Sequence, residues 1–242
     1  MTATLLRRTV AEFLGTGFLV AAVVGSGIMG ERLAGGNIAI ALLANTIATG
    51  AALVALILAF GSVSGAHFNP AVTLADAIEK GVSWTDAACY VVGQCFGAVL
   101  GAMTAHIMFQ LPLVSVSHHA RSGFAQVFSE FVATFGLLSV IWGCSRLRQS
   151  EMVPFAVGAY ITAAYWFTSS TSFANPAVTI ARSISDTFSG IRPADVPFFV
   201  LAQLFGALAA TIFFRWFVPS LGSGAPKILL PEDRTQTSVR SA

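Results

Sequence analysis

The chain has 242 residues, 55% of them hydrophobic and 10% charged, with a net charge of +2. Soluble domains carry about 25% charged residues, so this composition excludes a water-soluble globular domain. So small a positive charge also gives no footing for a nucleic-acid surface. The three cysteines, Cys89, Cys95 and Cys144, lie in apolar runs without metal-ligand spacing and are expected to act as packing residues, with no metal site and no cofactor.

In chain order, apolar segments are expected at 9–29, 38–62, 87–109, 123–144, 152–168 and 197–218. Most reach the roughly 20 residues that cross a bilayer core, and 152–168 is the shortest. The first carries Glu12 and leads directly into further apolar segments, unlike a cleaved signal. Two shorter pieces, 69–79 and 175–185, cannot span. Each opens on Asn-Pro, with Asn at the cap and Pro at the first helical position, which is a helix start. They read as half-helices preceded by irregular backbone, tolerated at membrane depth only where it is buried or lines a watery cavity.

An N-terminus placed inside puts nine of the 13 Lys and Arg residues on the cytoplasmic side, among them Arg8, Lys80, Arg146 and Arg215. The other four, Arg32, Arg121, Arg182 and Arg192, fall outside. This bias predicts a multi-pass protein of the cell (inner) membrane with both termini cytoplasmic. The membrane-embedded domain is expected over 1–219, and the polar stretch 220–242 as a cytoplasmic tail without fixed structure.

The chain repeats itself. AEFLGTGFLV at 11–20 matches SEFVATFGLL at 129–138, VGQCFGAV at 92–99 matches LAQLFGAL at 201–208, and GAHFNPAVT at 65–73 matches TSFANPAVT at 171–179. The repeats run from about 8–110 and 122–219. Three spans in each make them inverted across the membrane, so the positive N-termini of the half-helices meet near the midplane.

Paired Asn-Pro-Ala boxes (Asn69-Pro70-Ala71 and Asn175-Pro176-Ala177), the A-E-F-x-G-T opening and the matched Gln-x-x-Gly-Ala helices resemble the major intrinsic protein family, the aquaporins and aquaglyceroporins. The resemblance covers about 8–218. It implies an all-α membrane protein, six transmembrane helices plus two re-entrant half-helices, working as a homotetramer with one pore per subunit.

The residue chemistry agrees. The Asn69 and Asn175 amides can cap their helices and still offer N–H donors to a passing oxygen. Backbone carbonyls of Gly65, Ala66 and His67, then of Thr171, Ser172 and Phe173, are expected to form a ladder of acceptors along the lumen. Converging helix N-termini repel cations and disfavour a proton wire. Glu12 and Glu130, the carboxylates deep inside spans, are expected to accept hydrogen bonds from the loop backbone; a proton relay is the other reading. The His67 ring is expected to pack behind its carbonyl, and His118 and His119 to be solvated loop residues.

Most of the family carries Arg after the second Asn-Pro-Ala, and this chain carries Val178. Offsets from each Asn place the filter at Thr49, Ser172 and Val178. For span five, counting back from Asn175 gives Ala163, while alignment on Gly158 gives Tyr165; Ala163 is preferred. That ring is small, uncharged and wide. Arg182, four residues beyond Val178, is expected to snorkel to headgroups or pair with Asp186, with a fold back over the pore mouth as the other possibility. Val at this position resembles the bacterial aquaglyceroporin-like branch linked to arsenic resistance, which passes neutral As(OH)₃ and organoarsenicals. The resemblance therefore implies a passive channel for small neutral solutes, metalloid hydroxides or glycerol, with some water. A strict water channel and an ion-coupled transporter are the alternatives, although no ion-coupling residue other than the two glutamates lies at midplane. No nucleophile–base or metal constellation supports an enzyme, and the expected partners are solute, water and lipid.

Overall fold

The computed structural model describes residues 3–146 and 150–218, so the tail expected over 220–242 lies outside the described residues. The described residues form eight α-helices: α1 (Leu5–Leu33), α2 (Ile38–Ser64), α3 (Pro70–Ile78), α4 (Trp84–Met108), α5 (Phe124–Arg146), α6 (Val153–Phe167), α7 (Pro176–Arg182) and α8 (Val196–Phe217). Short 3-10 turns precede α6 (Ser150–Met152) and α8 (Pro193–Asp195). Their starts follow capping chemistry. Thr4 accepts from the Arg7 amide, Asn37 from Ala39 and Ile40, and Ser83 from Asp86.

Helices α1, α2, α4, α5 and α8 are long and apolar enough to cross a membrane. The sixth, α6, has 15 residues, and at 1.5 Å per residue it rises only about 22 Å. The six expected spans are thus five full helices and one short one. The second half-helix is also shorter than expected, because past Arg182 the chain leaves the helix and pairs with the loop after α4. Ser115 N and Ser117 N donate to the carbonyls of Ile184 and Ser183, each at 2.9 Å.

Helix α1 packs on α4 and α2, and α5 on α8 and α6, in the same arrangement twice. The closest approaches fall at repeat-equivalent glycines. A Cβ at Gly97 on α4 would run into the Phe13 carbonyl oxygen of α1, and one at Gly206 on α8 would lie 2.5 Å from the Phe131 carbonyl oxygen of α5. Without water to drive association, such close backbone contact is what holds helices together in lipid. Gly97→Ala must push α1 from α4 and is expected to destabilise the protein by about 1–3 kcal/mol. A thermal midpoint in detergent equal to that of the unaltered chain would contradict this.

Charges gather by side. Arg8 pairs with Asp86 at 2.9 Å, Arg146 with Glu79 at 2.7 Å, and Arg215 with the same Glu79, all at one end of the bundle. Arg121, Arg182 and the Arg192–Asp195 pair (2.9 Å) lie at the other. The two half-helices meet between these ends, each start held by the opposite repeat.

Candidate functional site

Both half-helices begin with Asn in extended conformation followed by Pro. Asn69 Oδ1 accepts from Ala71 N at 2.9 Å, and Asn175 Oδ1 from Ala177 N at 3.0 Å and Val178 N at 3.3 Å. Each side-chain amide then reaches across the junction. Asn69 Nδ2 donates to Ala174 O at 2.7 Å, and Asn175 Nδ2 to Phe68 O at 2.8 Å. One N–H on each Asn keeps no protein acceptor among the described residues, so each Asn offers one free donor rather than two.

The loops feeding these helices are held in an unusual shape. Ala66, Phe68, Ser172 and Ala174 take left-handed backbone angles, with φ of 48°, 50°, 50° and 48°. Non-glycine residues stay there only where surroundings over-determine them. Two carboxylates do so. Glu12 accepts from His67 N (2.9 Å), Phe68 N (2.7 Å), Ser64 Oγ (2.6 Å) and Gln94 Nε2 (2.7 Å). Glu130 accepts from Phe173 N (2.9 Å), Ala174 N (2.8 Å) and Gln203 Nε2 (2.6 Å). Gln94 and Gln203 each donate again at 2.9 Å, to Thr73 and Thr179 on the two half-helices. The two supports are copies of one another.

With their N–H groups turned to the carboxylates, the loop carbonyls face away. Among the described residues no donor reaches the carbonyl of Gly65, Ala66, His67, Thr171, Ser172 or Phe173. All but Thr171 line one cavity together with Asn69 and Asn175. Thr171 is set back from it, its hydroxyl accepting from Arg121 Nη1 at 3.4 Å. The His67 ring bonds Thr73 Oγ1 at 3.1 Å and lies edge-on to Tyr90. Opposite the polar loops stands an apolar wall from four helices, including Val23, Leu53, Leu137 and Val157. A hydroxylated solute meets acceptors on one side and hydrocarbon on the other.

Thr49, Ser172 and Val178 are buried and line the cavity as expected by offset. Ala163 does not. It lies exposed on the outer face of α6, and Tyr165 takes the place, with Tyr165 Oη 3.2 Å from Thr49 Oγ1. Two residues turn an α-helix through about 200°, so Ala163 and Tyr165 cannot share a face. The four-residue ladder Val153, Val157, Ile161, Tyr165, all lining the cavity, is the signal in the sequence that could have decided it.

Arg182 also departs from expectation. It neither snorkels nor pairs with Asp186, whose carboxylate instead accepts from His118 N at 2.9 Å. Its side chain is 1% exposed and lines the cavity, with the guanidinium 3.4 Å from the Phe173 ring centre. Arg121, in the loop after α4, sits 4.8 Å from the same ring and donates to Gly190 O (2.8 Å) and Ser170 O (3.0 Å). Burial pushes its pKa down to about 10, against the pull of Glu130 and Tyr165, so it stays charged at neutral pH. His118 and His119 are exposed, as expected, and partial desolvation of the His119 ring, with the nearby Arg121 charge, lowers its pKa. Cys89, Cys95 and Cys144 are free, and no cluster able to hold a metal occurs among the described residues.

The sequence model of the major intrinsic proteins matches residues 1–172 and again 148–239. The chain belongs to the major intrinsic protein family. It is a membrane channel of the aquaporin fold. Among relatives, aquaglyceroporin AqpS of Rhizobium meliloti (strain 1021) is 56% identical over 214 residues, covering 88% of this chain and 91% of that protein. Aquaporin NIP1-4 of Oryza sativa subsp. japonica is 33% identical, covering 86% and 76%. The crystal structure of the aquaglyceroporin from Plasmodium falciparum superposes with a TM-score of 0.66 at 20% identity, covering 90% of this chain and 97% of that one, a likeness of fold. In this major intrinsic protein Val178, Tyr165 and the buried Arg182 line the cavity together.

Proposed function

We propose that this protein is a passive channel for small uncharged hydroxylated solutes, glycerol and metalloid hydroxides such as As(OH)₃, with water passing as well. The observation that carries the reading is the presence of Thr49, Tyr165, Ser172 and Val178 in the wall of one cavity. It sets three hydroxyls beside one apolar side chain. A polyol or As(OH)₃ has several hydroxyls to exchange for those groups and needs no charge to enter. Tyr165 makes the ring narrower than one built with Ala163, and supplies a hydroxyl that Ala163 lacks. The selectivity filter is thus Thr49, Tyr165, Ser172 and Val178, with Asn69 and Asn175 as donors at the junction. Five carbonyls, Gly65, Ala66, His67, Ser172 and Phe173, serve as acceptors along it.

The relationship to a protein named an aquaglyceroporin supports a solute larger than water. Placement in the cell (inner) membrane with both termini cytoplasmic follows from the Lys and Arg bias, and assembly as a homotetramer from family membership. The test is influx of glycerol and of arsenite into proteoliposomes, with osmotic water flux alongside. Influx of both is expected to rise linearly with concentration and to need no ion gradient. Saturable uptake that requires a gradient would mean a coupled transporter, and water flux alone a strict water channel.

A further inference from the structure

We propose that Arg182 is the charge that screens solutes at the outer constriction, one helical turn beyond Val178. The inference rests on the channel reading and adds a residue to it. Arg182 ends α7 with its side chain almost wholly buried, yet it lines the cavity with Ser172, Phe173 and Val178. Among the described residues, its only side-chain hydrogen bond runs from Nε to the Ser189 carbonyl, and no carboxylate lies within ion-pair reach. A guanidinium has five N–H donors. The terminal nitrogens, with no protein acceptor, are left to whatever occupies the cavity.

A second observation points the same way. Ser172 Oγ, in the same wall, is buried without any hydrogen-bond partner. Buried polar groups are rarely left unmatched, so an orphan hydroxyl and an uncompensated cation lining one cavity describe a site for an oxygen-bearing guest. The Phe173 ring fixes the guanidinium from one side. Arg121 differs: carbonyls occupy its nitrogens and it does not line the cavity, so it holds the loop without meeting the solute. Arg182 therefore donates to hydroxyl or carbonyl oxygens of neutral solutes and repels cations of the same size.

Urea and guanidinium form a near-isosteric neutral and cationic pair for the test, in proteoliposomes holding the full chain. Urea is expected to enter and guanidinium to be rejected by the unaltered channel. In Arg182→Gln, with fold checked by water flux and thermal midpoint, the guanidinium-to-urea ratio should rise roughly tenfold, the scale of one nearby partly screened charge. Arg182→Lys, which keeps the charge, should keep the rejection. A ratio unchanged in folded Arg182→Gln overturns the proposal. So does guanidinium entry at the rate of urea through the unaltered channel, a result that stands even if no Arg182 variant folds. Absence of urea, glycerol and water flux alike in the unaltered protein would instead defeat the channel reading.

Discussion

Glu12→Ala is expected to unseat the first half-helix and to cost the protein about 3–5 kcal/mol, the scale of removing one partner from a buried charged network. The Glu12 carboxylate is fully buried and accepts four hydrogen bonds. Two of the donors are the backbone amides of His67 and Phe68, in a loop whose left-handed residues give it no helical alternative. Alanine leaves both amides buried without acceptors, each costing about 1–3 kcal/mol. Glu130→Ala should do the same to the second half-helix through Phe173 and Ala174. The readouts are the thermal midpoint in detergent and water flux in proteoliposomes, both of which should fall. A proton relay at these positions would behave differently: Glu12→Gln would then stop proton movement while leaving the midpoint where it was. That pattern would sink the structural assignment.

Val178→Arg is expected to cut glycerol influx at least roughly tenfold while water flux survives, since selectivity in such pores follows diameter and lining donors. Val178 is buried and lines the cavity with Ser172 and Tyr165. A guanidinium there narrows the ring and adds donors that hold a water better than a polyol. It also lies four residues from Arg182 on one helical face, so like-charge repulsion lowers stability somewhat, and the folded fraction must be measured alongside. Tyr165→Ala should act in the opposite sense and raise glycerol relative to water. Ala163→Leu, on the exposed outer face of α6, should change neither flux. Equal glycerol and water fluxes before and after Val178→Arg would remove Val178 from the selectivity argument. A flux change in Ala163→Leu as large as that in Tyr165→Ala would remove Tyr165.

Much of this was legible in the sequence. Composition alone placed the chain in a bilayer. Asn-Pro at 69–70 and 175–176 marked helix starts, because capping and the missing proline N–H are local chemistry. The duplicated motifs pair Glu12 with Glu130 and Gln94 with Gln203, and in the structure each Gln bridges its Glu to the equivalent Thr of a half-helix. Thr49, Ser172 and Val178 line the cavity where their distances along the chain from the two Asn residues put them.

What the sequence did not determine lies where one segment depends on another far away. Offsets along the chain leave Ala163 and Tyr165 both open, and the packing of α6 against α2, with Tyr165 near Thr49, turns the Val153, Val157, Ile161 and Tyr165 face inward. Thr171 does not line the cavity, and Arg121, 50 residues earlier, donates to its hydroxyl and to the Ser170 carbonyl. Arg182 carries a long polar side chain at a helix end, for which headgroups or Asp186 were the nearby destinations. The loop that returns to Ser189 and the ring of Phe173 offer it a buried seat instead, and Asp186 is taken by His118. Local propensity and repetition settle which segments are helices and which residues are equivalent. Which side chains meet in the pore is decided by contacts between segments distant in sequence, and their energies exceed any preference a single segment carries.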